Sequence, residues 1–375
     1  MDRYTRQKMI KGWDQQALEK GKVLVVGAGT TGNEVIKNLV LLGVGNITIV
    51  DTDVVEVVNL NRSILFREKD INCSKSIVAA ERARELNPGI NAVGWDCNVI
   101  YKVGSLQYGN FDCVVLTVDN LEARLWVNRY CWLNGVPLID TGIEGLIGNV
   151  FVSIPPYKSC IECGWGKREY QRLSDKYSCL KRGLDEEVRK IPMVITTAAL
   201  IGGIASQECV AILHKHIIDI SKRAGKFFQY DGDSQTSIGW HVPKKEDCPA
   251  HSFVMGNSHA LLDASLDENI ESLKQRIARS QSASAVEIWC DKEVVYSVVC
   301  SENCGYTRSI SPLLLGEFKR EVCPYCHKLS VVPHDYTEEL KDGWTLKALG
   351  IPSNHLLRVA FGRGDEVYEG WIVSR

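Results

Sequence analysis

A glycine motif between a short apolar run and a helix-like run constrains this chain more than any other feature. Residues 23–26 are all apolar, as in a buried strand, and Gly27, Gly29 and Gly32 follow with G-x-G-x-x-G spacing. Apolar residues then recur at helical intervals, and a second apolar run ends at Asp51, about 20 residues after the glycines. This order predicts a strand–helix–strand unit of a parallel sheet.

Each part of this motif has a physical role in binding a nucleotide. Gly27 permits the tight turn out of the strand, Gly29 lets the backbone approach a phosphate, and Gly32 lets the helix pack on the sheet. The start of the helix offers free N–H groups to an anion, and Asp51 is placed to accept hydrogen bonds from ribose hydroxyls. The motif therefore favours nucleotide binding over a purely structural turn, without indicating which nucleotide binds.

Length and composition narrow the class of protein. The 375 residues predict two or three domains, and 45% hydrophobic residues are ample for their cores. A net charge of −2 argues against a general nucleic-acid or membrane-surface binder. The sequence opens without an apolar leader, and polar residues interrupt the apolar run 193–213, which we expect to be a buried helix. We therefore expect a cytoplasmic protein without nucleic-acid or membrane partners.

Polar residues follow the predicted strands where a ligand would lie. Asn59 and Arg62 have the spacing to meet phosphate oxygens, although by themselves they are better explained as an ordinary polar loop. Lys75 opens a helix, where the dipole disfavours a cation unless an anion binds there. Asp119 ends a further apolar run and is placed to hold Mg²⁺ on phosphates. Strand–helix alternation through residue 140 predicts an α/β fold with a doubly wound, mostly parallel sheet.

Six separate motifs together resemble those of the ubiquitin-activating superfamily, which includes the thiamine-pathway and molybdopterin-synthase adenylyltransferases ThiF and MoeB. The resemblance covers about residues 3–251 and implies a Rossmann-like adenylation domain over residues 1–251. The motifs are Arg3-Tyr-Thr-Arg6-Gln, Gly27-Ala-Gly29-Thr-Thr-Gly32, Asp51-Thr-Asp53, Asn59-Leu-Asn61-Arg62, Lys75 and Asp119-Asn120. No nicotinamide-enzyme interpretation accounts for Asn59, Arg62 and Lys75 together.

The resemblance also implies a role for each motif. It implies that Gly27, Gly29 and Gly32 border ATP and that Asp51 holds the ribose, with Asp53 among the nucleotide-binding residues. It implies that Asn59, Arg62 and Lys75 contact the phosphates and that Asp119 binds Mg²⁺. Finally, it implies a homodimer in which Arg6 reaches the neighbouring subunit. The implied chemistry is attack of a carboxylate on the α-phosphorus, with cations stabilising the developing charge.

Fourteen cysteines in such a chain indicate metal sites or reactive thiols rather than a disulfide framework. Cys160 and Cys163 form a C-x-x-C pair, and the resemblance implies a second pair after a Tyr-Asp strand, here Cys248 and His251. The histidine stands where the family usually has a cysteine, and Cys₃His is a known structural zinc set. A redox or incidental cysteine pair is the alternative.

The charged segment between these pairs, residues 164–192, resembles the crossover loop of the family. In relatives that pass the acyl group to a thiol, this loop can carry the nucleophile. Cys179 is the only cysteine in the segment, and Lys176, Lys181 and Arg182 beside it favour the thiolate. We therefore predict Cys179 as the acyl acceptor, with an unreactive loop thiol as the alternative.

The rest of the chain is predicted to form a helical connector (252–284) and a small β-rich, α+β region (285–375). Two cysteine pairs at the ends of strand-like runs are typical of a zinc ribbon with a structural or docking role. The four residues are Cys300, Cys304, Cys323 and Cys326. By analogy with activators of ubiquitin-like proteins, this region is expected to bind the carrier or a downstream conjugating enzyme.

Together these features predict an ATP-, Mg²⁺- and zinc-dependent homodimer that adenylates a ubiquitin-like protein at its C-terminal glycine and then transfers it to Cys179. Three alternatives stay open. The first is activation of a sulfur carrier for molybdopterin- or thiamine-type cofactor synthesis, without a thioester. The second is adenylation of a small molecule or peptide. The third is a zinc-ribbon binding protein with a degenerate nucleotide fold, against which the intact Arg62, Lys75 and Asp119 argue.

Overall fold

The computed structural model describes residues 2–182, 192–252, 260–363 and 366–375, and for residues 176–182, 260 and 261 it describes the backbone. The described residues form two compact units. The first lies within Met1–Ile100, Tyr108–Trp165 and Lys190–Val254, and the second within Tyr101–Gln107, Gly166–Arg189 and Met255–Arg375. The α-helices are α1 (Gln15–Lys20), α2 (Thr30–Leu42), α3 (Lys75–Leu86), α4 (Val99–Lys102), α5 (Leu121–Asn134), α6 (Lys167–Arg182), α7 (Ile195–Leu213), α8 (Pro249–Ser252) and α9 (Ile270–Gln281).

The first unit is built on a twisted sheet with the order β3-β2-β1-β4-β5-β6-β7-β8. Its strands are β1 (Lys22–Val26), β2 (Asn46–Asp51), β3 (Asn91–Asp96), β4 (Cys113–Leu116), β5 (Leu138–Glu144), β6 (Ile147–Ser153), β7 (Lys226–Asp231) and β8 (Thr236–His241). The pairs from β3 through β5 are parallel, and those from β5 through β8 are antiparallel. The predicted Rossmann-like sheet is confirmed.

Helix α7 supplies much of the core that covers this sheet. Ile201, Ala205 and Cys209 are fully buried, and a Cβ at Gly202 would lie 2.6 Å from the side chain of Glu34 on α2. By length and composition alone α7 resembles a membrane-spanning helix, yet 61% of its apolar window is buried inside the protein. This burial agrees with the predicted core helix.

The second unit has its own sheet, in which α9 connects two parallel-running strands at opposite sides of a hairpin. The path through the sheet is β12-β13-β10-β15-β16-β9, and β11 and β14 both pair with β10. The strands are β9 (Ala260–Ala264), β10 (Ala285–Cys300), β11 (Thr307–Leu314), β12 (Glu321–Val322), β13 (Leu329–Pro333), β14 (Tyr336–Glu339), β15 (Leu356–Arg363) and β16 (Glu366–Ser374). The segment expected to be a connector therefore contributes a strand and a helix to this unit.

Strand β10 joins the two halves of the second sheet. Its first residues pair with β15, and its last residues pair with β11 and β13. The pairing with β14 shifts register between Trp289 and Val294, where the strand bulges. The polar residues of this bulge interrupt the apolar pattern of the strand in the sequence.

The charged segment predicted as a crossover loop contains helix α6, and α6 packs against β13. Leu173 is its buried apolar residue among residues 167–175, whose side chains are described. The loop was expected from the resemblance, and charged residues are typical of the exposed side of such a helix.

A short segment from the middle of the chain, residues 101–107, completes the second unit. The amide of Leu106 donates to the carbonyl of Asn354 at 2.8 Å, and the amide of Leu356 donates to the hydroxyl of Ser105 at 2.9 Å. A Cβ at Gly104 would overlap the carbonyl oxygen of Ser353, so only glycine permits this close backbone approach.

We predict that Gly104→Ala destabilises the second unit by about 1–3 kcal/mol, because the added methyl has no space against a fixed backbone. Thermal and urea unfolding followed by circular dichroism would measure the effect. Gly203→Ala on α7 is the matched control, because a Cβ there meets no atom within 4 Å. Equal stability of the two variants would contradict the proposed close approach.

Candidate nucleotide site and cysteine clusters

The candidate nucleotide site lies at the carboxyl ends of three adjacent strands. Gly27 follows β1, Asp51 ends β2, and Asp119 lies just beyond β4. These strands are neighbours in the sheet, with β1 between β2 and β4. In open α/β sheets, ligands bind outside this edge of the sheet.

Two of the three glycines are required by the packing of the turn. Gly27 has φ +97°, and a Cβ there would lie 2.9 Å from the carbonyl oxygen of Thr117. A Cβ at Gly32 would overlap the carbonyl oxygen of Gly27. A Cβ at Gly29 would meet no atom within 4 Å, and Gly29 caps the start of α2. The open space at Gly29 leaves the helix N-terminus accessible to an anion.

The carboxylate of Asp51 is held by the two loops that meet at this edge. It accepts hydrogen bonds from the amides of Ala28 at 2.6 Å and Asp53 at 2.8 Å. Burial raises its pKa above the ordinary value, while these amides act in the opposite direction. Each carboxylate oxygen keeps a further lone pair, so Asp51 can still accept from a ribose hydroxyl.

Lys75 is a buried cation whose partner in this structure is Asp53. Its Nζ lies 2.8 Å from Asp53 Oδ2, and its amide donates to the Asp53 carbonyl at 2.9 Å. Lys75 is only 8% exposed and opens α3, the unfavourable end of the helix dipole for a cation. A second anion beside Lys75 would therefore be stabilised strongly.

Asn59 and Arg62 lie in the turn that follows β2. The side chain of Asn59 accepts from the amide of Glu56 at 2.8 Å, and Arg62 donates to the carbonyl of Val58 and to Asn61 Oδ1. Arg62 Nε is buried, and within the described residues it has no hydrogen-bond partner. A buried donor of this kind fits an anionic ligand such as a phosphate.

Asp119 is exposed, and the loop that carries it is held by a residue that the sequence analysis missed. Arg124 donates to the carbonyls of Val118 at 2.6 Å and Thr141 at 2.8 Å, and it pairs with Asp140. Burial raises the pKa of Asp140 to about 6. The position of Arg124 in the first turn of α5, where a cation is disfavoured, is the signal that could have identified it.

The structure says less about the remaining two predicted residues, Arg6 and Cys179. Arg6 is exposed at the start of the short helical turn Gln7–Met9. Cys179 lies in α6, and its side chain is outside the described residues. Their predicted roles, on a partner subunit and in acyl transfer, stay predictions.

The structure brings Cys160, Cys163, Cys248 and His251 together. Cys160 Sγ lies 3.9 Å from Cys163 Sγ and 3.5 Å from Cys248 Sγ, and Cys163 Sγ lies 3.6 Å from His251 Nε2. A tetrahedral zinc with Zn–S bonds of about 2.3 Å separates its sulfur ligands by about 3.8 Å. Donation from the Cys160 thiol holds the pKa of Cys163 well below its ordinary value. The donor set and the spacing fit Zn²⁺.

A buried carboxylate fixes the turn that carries the first cysteine pair. Glu162, between Cys160 and Cys163, is 1% exposed and makes two hydrogen bonds with Arg129, at 3.0 and 2.9 Å. Asn128 donates to the same carboxylate at 3.3 Å and accepts from the amide of Ile161. These contacts orient the turn from α5, as outer-shell partners do around metal sites.

The second cysteine set also forms one cluster. Cys300 Sγ lies 3.6 Å from Cys326 Sγ, and Cys304 Sγ lies 3.5 Å from Cys323 Sγ. A hydrogen bond with Ser330 Oγ at 3.1 Å lowers the pKa of Cys300 to about 6. Four cysteines at this spacing fit the zinc-ribbon ligand set.

A third group, Cys290, Asp291 and His355, has ligand-type side chains but does not fit a metal. The amide of Ser105 donates to His355 Nδ1 at 3.2 Å, so Nε2 carries the ring proton and donates to Asp291 at 3.0 Å. Lys292 Nζ lies 2.9 Å from the same carboxylate oxygen. A protonated Nε2 and an adjacent ammonium leave no place for a cation, so this group is a buried hydrogen-bond network.

Comparison with known proteins identifies the family. Residues 3–250 match the ThiF family, so the chain belongs to this family, as predicted. The chain is 41% identical over 143 residues to SUMO-activating enzyme subunit 2 of Dictyostelium discoideum, covering 38% of this chain and 22% of that protein. It is 37% identical over 161 residues to the NEDD8-activating enzyme E1 catalytic subunit of Caenorhabditis elegans, covering 40% of this chain and 37% of that protein. The chain thus spans well under half the length of these relatives.

Solved structures support the fold of the first unit. A crystal structure of E. coli MccB with ATP aligns with a TM-score of 0.55 and 21% identity, covering 67% of this chain and 73% of that chain. A structure of PaaA aligns with a TM-score of 0.51 and 20% identity, covering 64% of this chain and 82% of that chain. At these identities the similarity establishes the fold alone.

We predict that Glu162→Gln weakens zinc binding by the first cluster about 10- to 100-fold, because outer-shell partners tune ligand orientation and basicity to this extent. The measurement is the rate at which one zinc equivalent is released to a chromogenic chelator. Glu246→Gln is the control, because Glu246 is an exposed carboxylate near the same cluster in sequence. Identical release from both variants would show that Glu162 does not support the site.

We predict that the second unit loses stability as the pH falls below 6.5. Burial lowers the pKa of His355 below its ordinary value of 6.5, so the unfolded chain takes up this proton first and is favoured in acid. The stabilisation is fully present above pH 6.5. The measurement is the free energy of unfolding in urea at pH 7.5 and 5.5 for wild type, His355→Gln and the exposed-site control His334→Gln. We expect only His355→Gln to reduce the difference between the two pH values. A wild-type-like pH dependence in His355→Gln would contradict the assignment.

Proposed function

We propose that this protein activates a ubiquitin-like protein by ATP-dependent adenylation of its C-terminal carboxylate and then passes the acyl group to Cys179. The proposal is carried by two observations made after the strand ends of a ThiF-family sheet: buried Lys75 pairs with Asp53, and Arg62 Nε is buried without a hydrogen-bond partner among the described residues. Buried cations and orphaned donors at this edge suit the phosphates of a nucleotide. The similarity to SUMO- and NEDD8-activating enzymes supports a ubiquitin-like substrate.

Each group at this edge has a separate task in the proposal. Asp51 accepts from the ribose, Gly29 admits a phosphate to the start of α2, and Lys75 and Arg62 neutralise the phosphate oxygens. Asn59 contributes a further polar contact to the phosphates. Arg6 completes the site of the partner subunit in a homodimer. Fixed charges of this kind stabilise a transition state because they need no reorganisation during the reaction.

Asp119 would hold Mg²⁺ near the α-phosphate. Its exposed carboxylate at the end of β4 is a hard oxygen ligand, which suits this ion together with phosphate oxygens and water. When bound, Mg²⁺ neutralises developing negative charge on the phosphates. The hydrogen bonds from Arg124 to the Val118 and Thr141 carbonyls hold the loop of Asp119 in place.

The proposed reaction has two balanced steps. A carboxylate oxygen of the carrier forms a bond to the α-phosphorus while the bond to the bridging oxygen breaks, and pyrophosphate leaves. The Cys179 thiolate then attacks the acyl carbon, and AMP leaves with both electrons of the acyl–oxygen bond. The thiol proton passes to solvent. Zinc takes no part in either step and stabilises the two cysteine clusters.

Activation of a sulfur carrier remains the closest alternative, since it uses the same first step. The thioester distinguishes the two activities. Adenylation of a peptide or small molecule differs in the substrate that supports pyrophosphate exchange, and a binding protein with a degenerate site would not bind ATP. We also propose that the protein acts in the cytoplasm.

We predict that Asp119→Ala reduces carrier-dependent pyrophosphate exchange at least about 100-fold, because the ligand that would hold the charge-neutralising Mg²⁺ is lost. Asp96→Ala is the matched control, since Asp96 is an exposed carboxylate at the carboxyl end of β3. Cys179→Ala is expected to retain exchange and to lose a thiol-sensitive adduct detected by intact mass without reductant. Loss of exchange in Cys179→Ala would contradict this division of roles.

The identity of the substrate is tested by mixing the enzyme and Mg-ATP with carriers that end in glycine. A thiol-cleavable adduct with the mass of the carrier minus water supports the conjugation-type activity. Pyrophosphate release without an adduct supports the sulfur-carrier alternative. Release only with peptides or small acids would favour the second alternative, and absence of ATP binding by calorimetry would favour the binding protein.

A further inference from the structure

Helix α6 contains Cys179 and belongs to the second unit, together with the cysteine cluster of Cys300, Cys304, Cys323 and Cys326. We propose that this cluster, when it binds zinc, holds the strand on which α6 packs, and so controls acyl transfer at Cys179 without affecting adenylation. The transfer part of this inference rests on the proposed function. The structural part does not rest on the proposed function. It concerns helix α6 and the second unit, and the sequence did not indicate that the two are connected.

The first step is the packing of α6 on β13. Helix α6 and β13 are in contact, and Leu173 is 7% exposed although α6 is otherwise rich in charge. Apolar residues recur in the sequence of α6 at positions 170, 173, 177 and 180, which helical spacing places on one face. Position 179 falls outside this stripe. Packing of α6 through Leu173 therefore constrains where the backbone at position 179 lies.

The second step is the connection from β13 to the cysteine cluster. Ser330 of β13 lies 3.1 Å from Cys300 Sγ and 3.5 Å from Cys326 Sγ through its Oγ. The amide of Ser301 donates to the Ser330 carbonyl at 2.9 Å, and the amide of Cys323 donates to the Lys328 carbonyl at 2.8 Å. One end of β13 is thus bound directly to the loops that carry the cysteines.

The third step is that β13 is short and lies next to the edge strand of the sheet. It is a strand of five residues that pairs with the end of β10 and, with a shift of register, with the two-residue β12. The buried core beneath it is small and includes two of the cysteines: Val295, Val298, Cys300, Leu315, Phe318, Cys323 and Val331. A cluster of this size contributes little stabilisation by itself, so a metal bound by its cysteines would be an important cross-link for β13. Loss of the metal would therefore loosen β13 and release α6.

Hydrogen–deuterium exchange of the full-length protein tests the structural part, with zinc content measured in the same samples. We expect Cys326→Ser to lose one zinc equivalent and to raise the exchange rate of amides 170–182 at least about 10-fold. Cys73→Ser, which changes an exposed cysteine outside both clusters, is the control and should leave both quantities unchanged. Unchanged exchange of α6 in Cys326→Ser, despite loss of zinc, would overturn the proposal.

A second pair of variants tests the packing without changing any cysteine. Leu173→Asp is expected to raise exchange of α6 to the same extent with full zinc content, and Ser174→Asp, which adds the same charge at an exposed position, is not. In a wild type that forms the thioester, Leu173→Asp should lose the adduct at least about 10-fold and retain pyrophosphate exchange within about twofold. An unchanged adduct with a loosened helix would overturn control of transfer. Failure of wild type to activate any carrier would contradict the proposed function, and the exchange comparison would still decide the packing.

Discussion

The nucleotide edge depends on the contact between two glycines. The backbone at Gly32 packs against the carbonyl of Gly27, closer than any side chain allows. The same turn is tied to β4, because Thr117 Oγ1 donates to the carbonyls of Gly27 at 2.8 Å and Val26 at 3.1 Å. The amide of Ala28 in this turn also holds Asp51. One tight turn therefore sets the positions of the start of α2, of Asp51 and of the loop that leads to Asp119.

Cysteine clusters perform a comparable task in both units. In the first, Cys160 and Cys163 at one turn meet Cys248 and His251 from a distant part of the chain, and Glu162 anchors that turn to α5. In the second, the four cysteines lie at a small apolar cluster, to which Cys300 and Cys323 belong. A bound metal would constrain both turns in a way that apolar packing at these sites does not, because ligand geometry is directional.

The sequence predicted those parts of the fold that have a local signature. The glycine motif, the apolar strands and the spacing of the cysteine pairs each report a constraint within a few residues, so the parallel sheet and the ligand sets could be anticipated. Strand β3 was missed because Asn91, Gly94 and Asp96 break its apolar pattern at the edge of the sheet. The insertion of residues 101–107 into the second unit, like the packing of α6 on β13, depends on contacts between distant residues that no local pattern encodes.

In the proposed function, the distribution of charge in the chain gives a physical reason for separating adenylation from transfer. Adenylation needs cations held rigidly beside polyphosphate, and Lys75 and Arg62 are placed by the strand ends and turns of the first sheet. A nucleophilic thiolate among those cations would compete with the phosphates for the same positive charge. The proposed nucleophile, Cys179, lies instead in a segment that groups with the second unit.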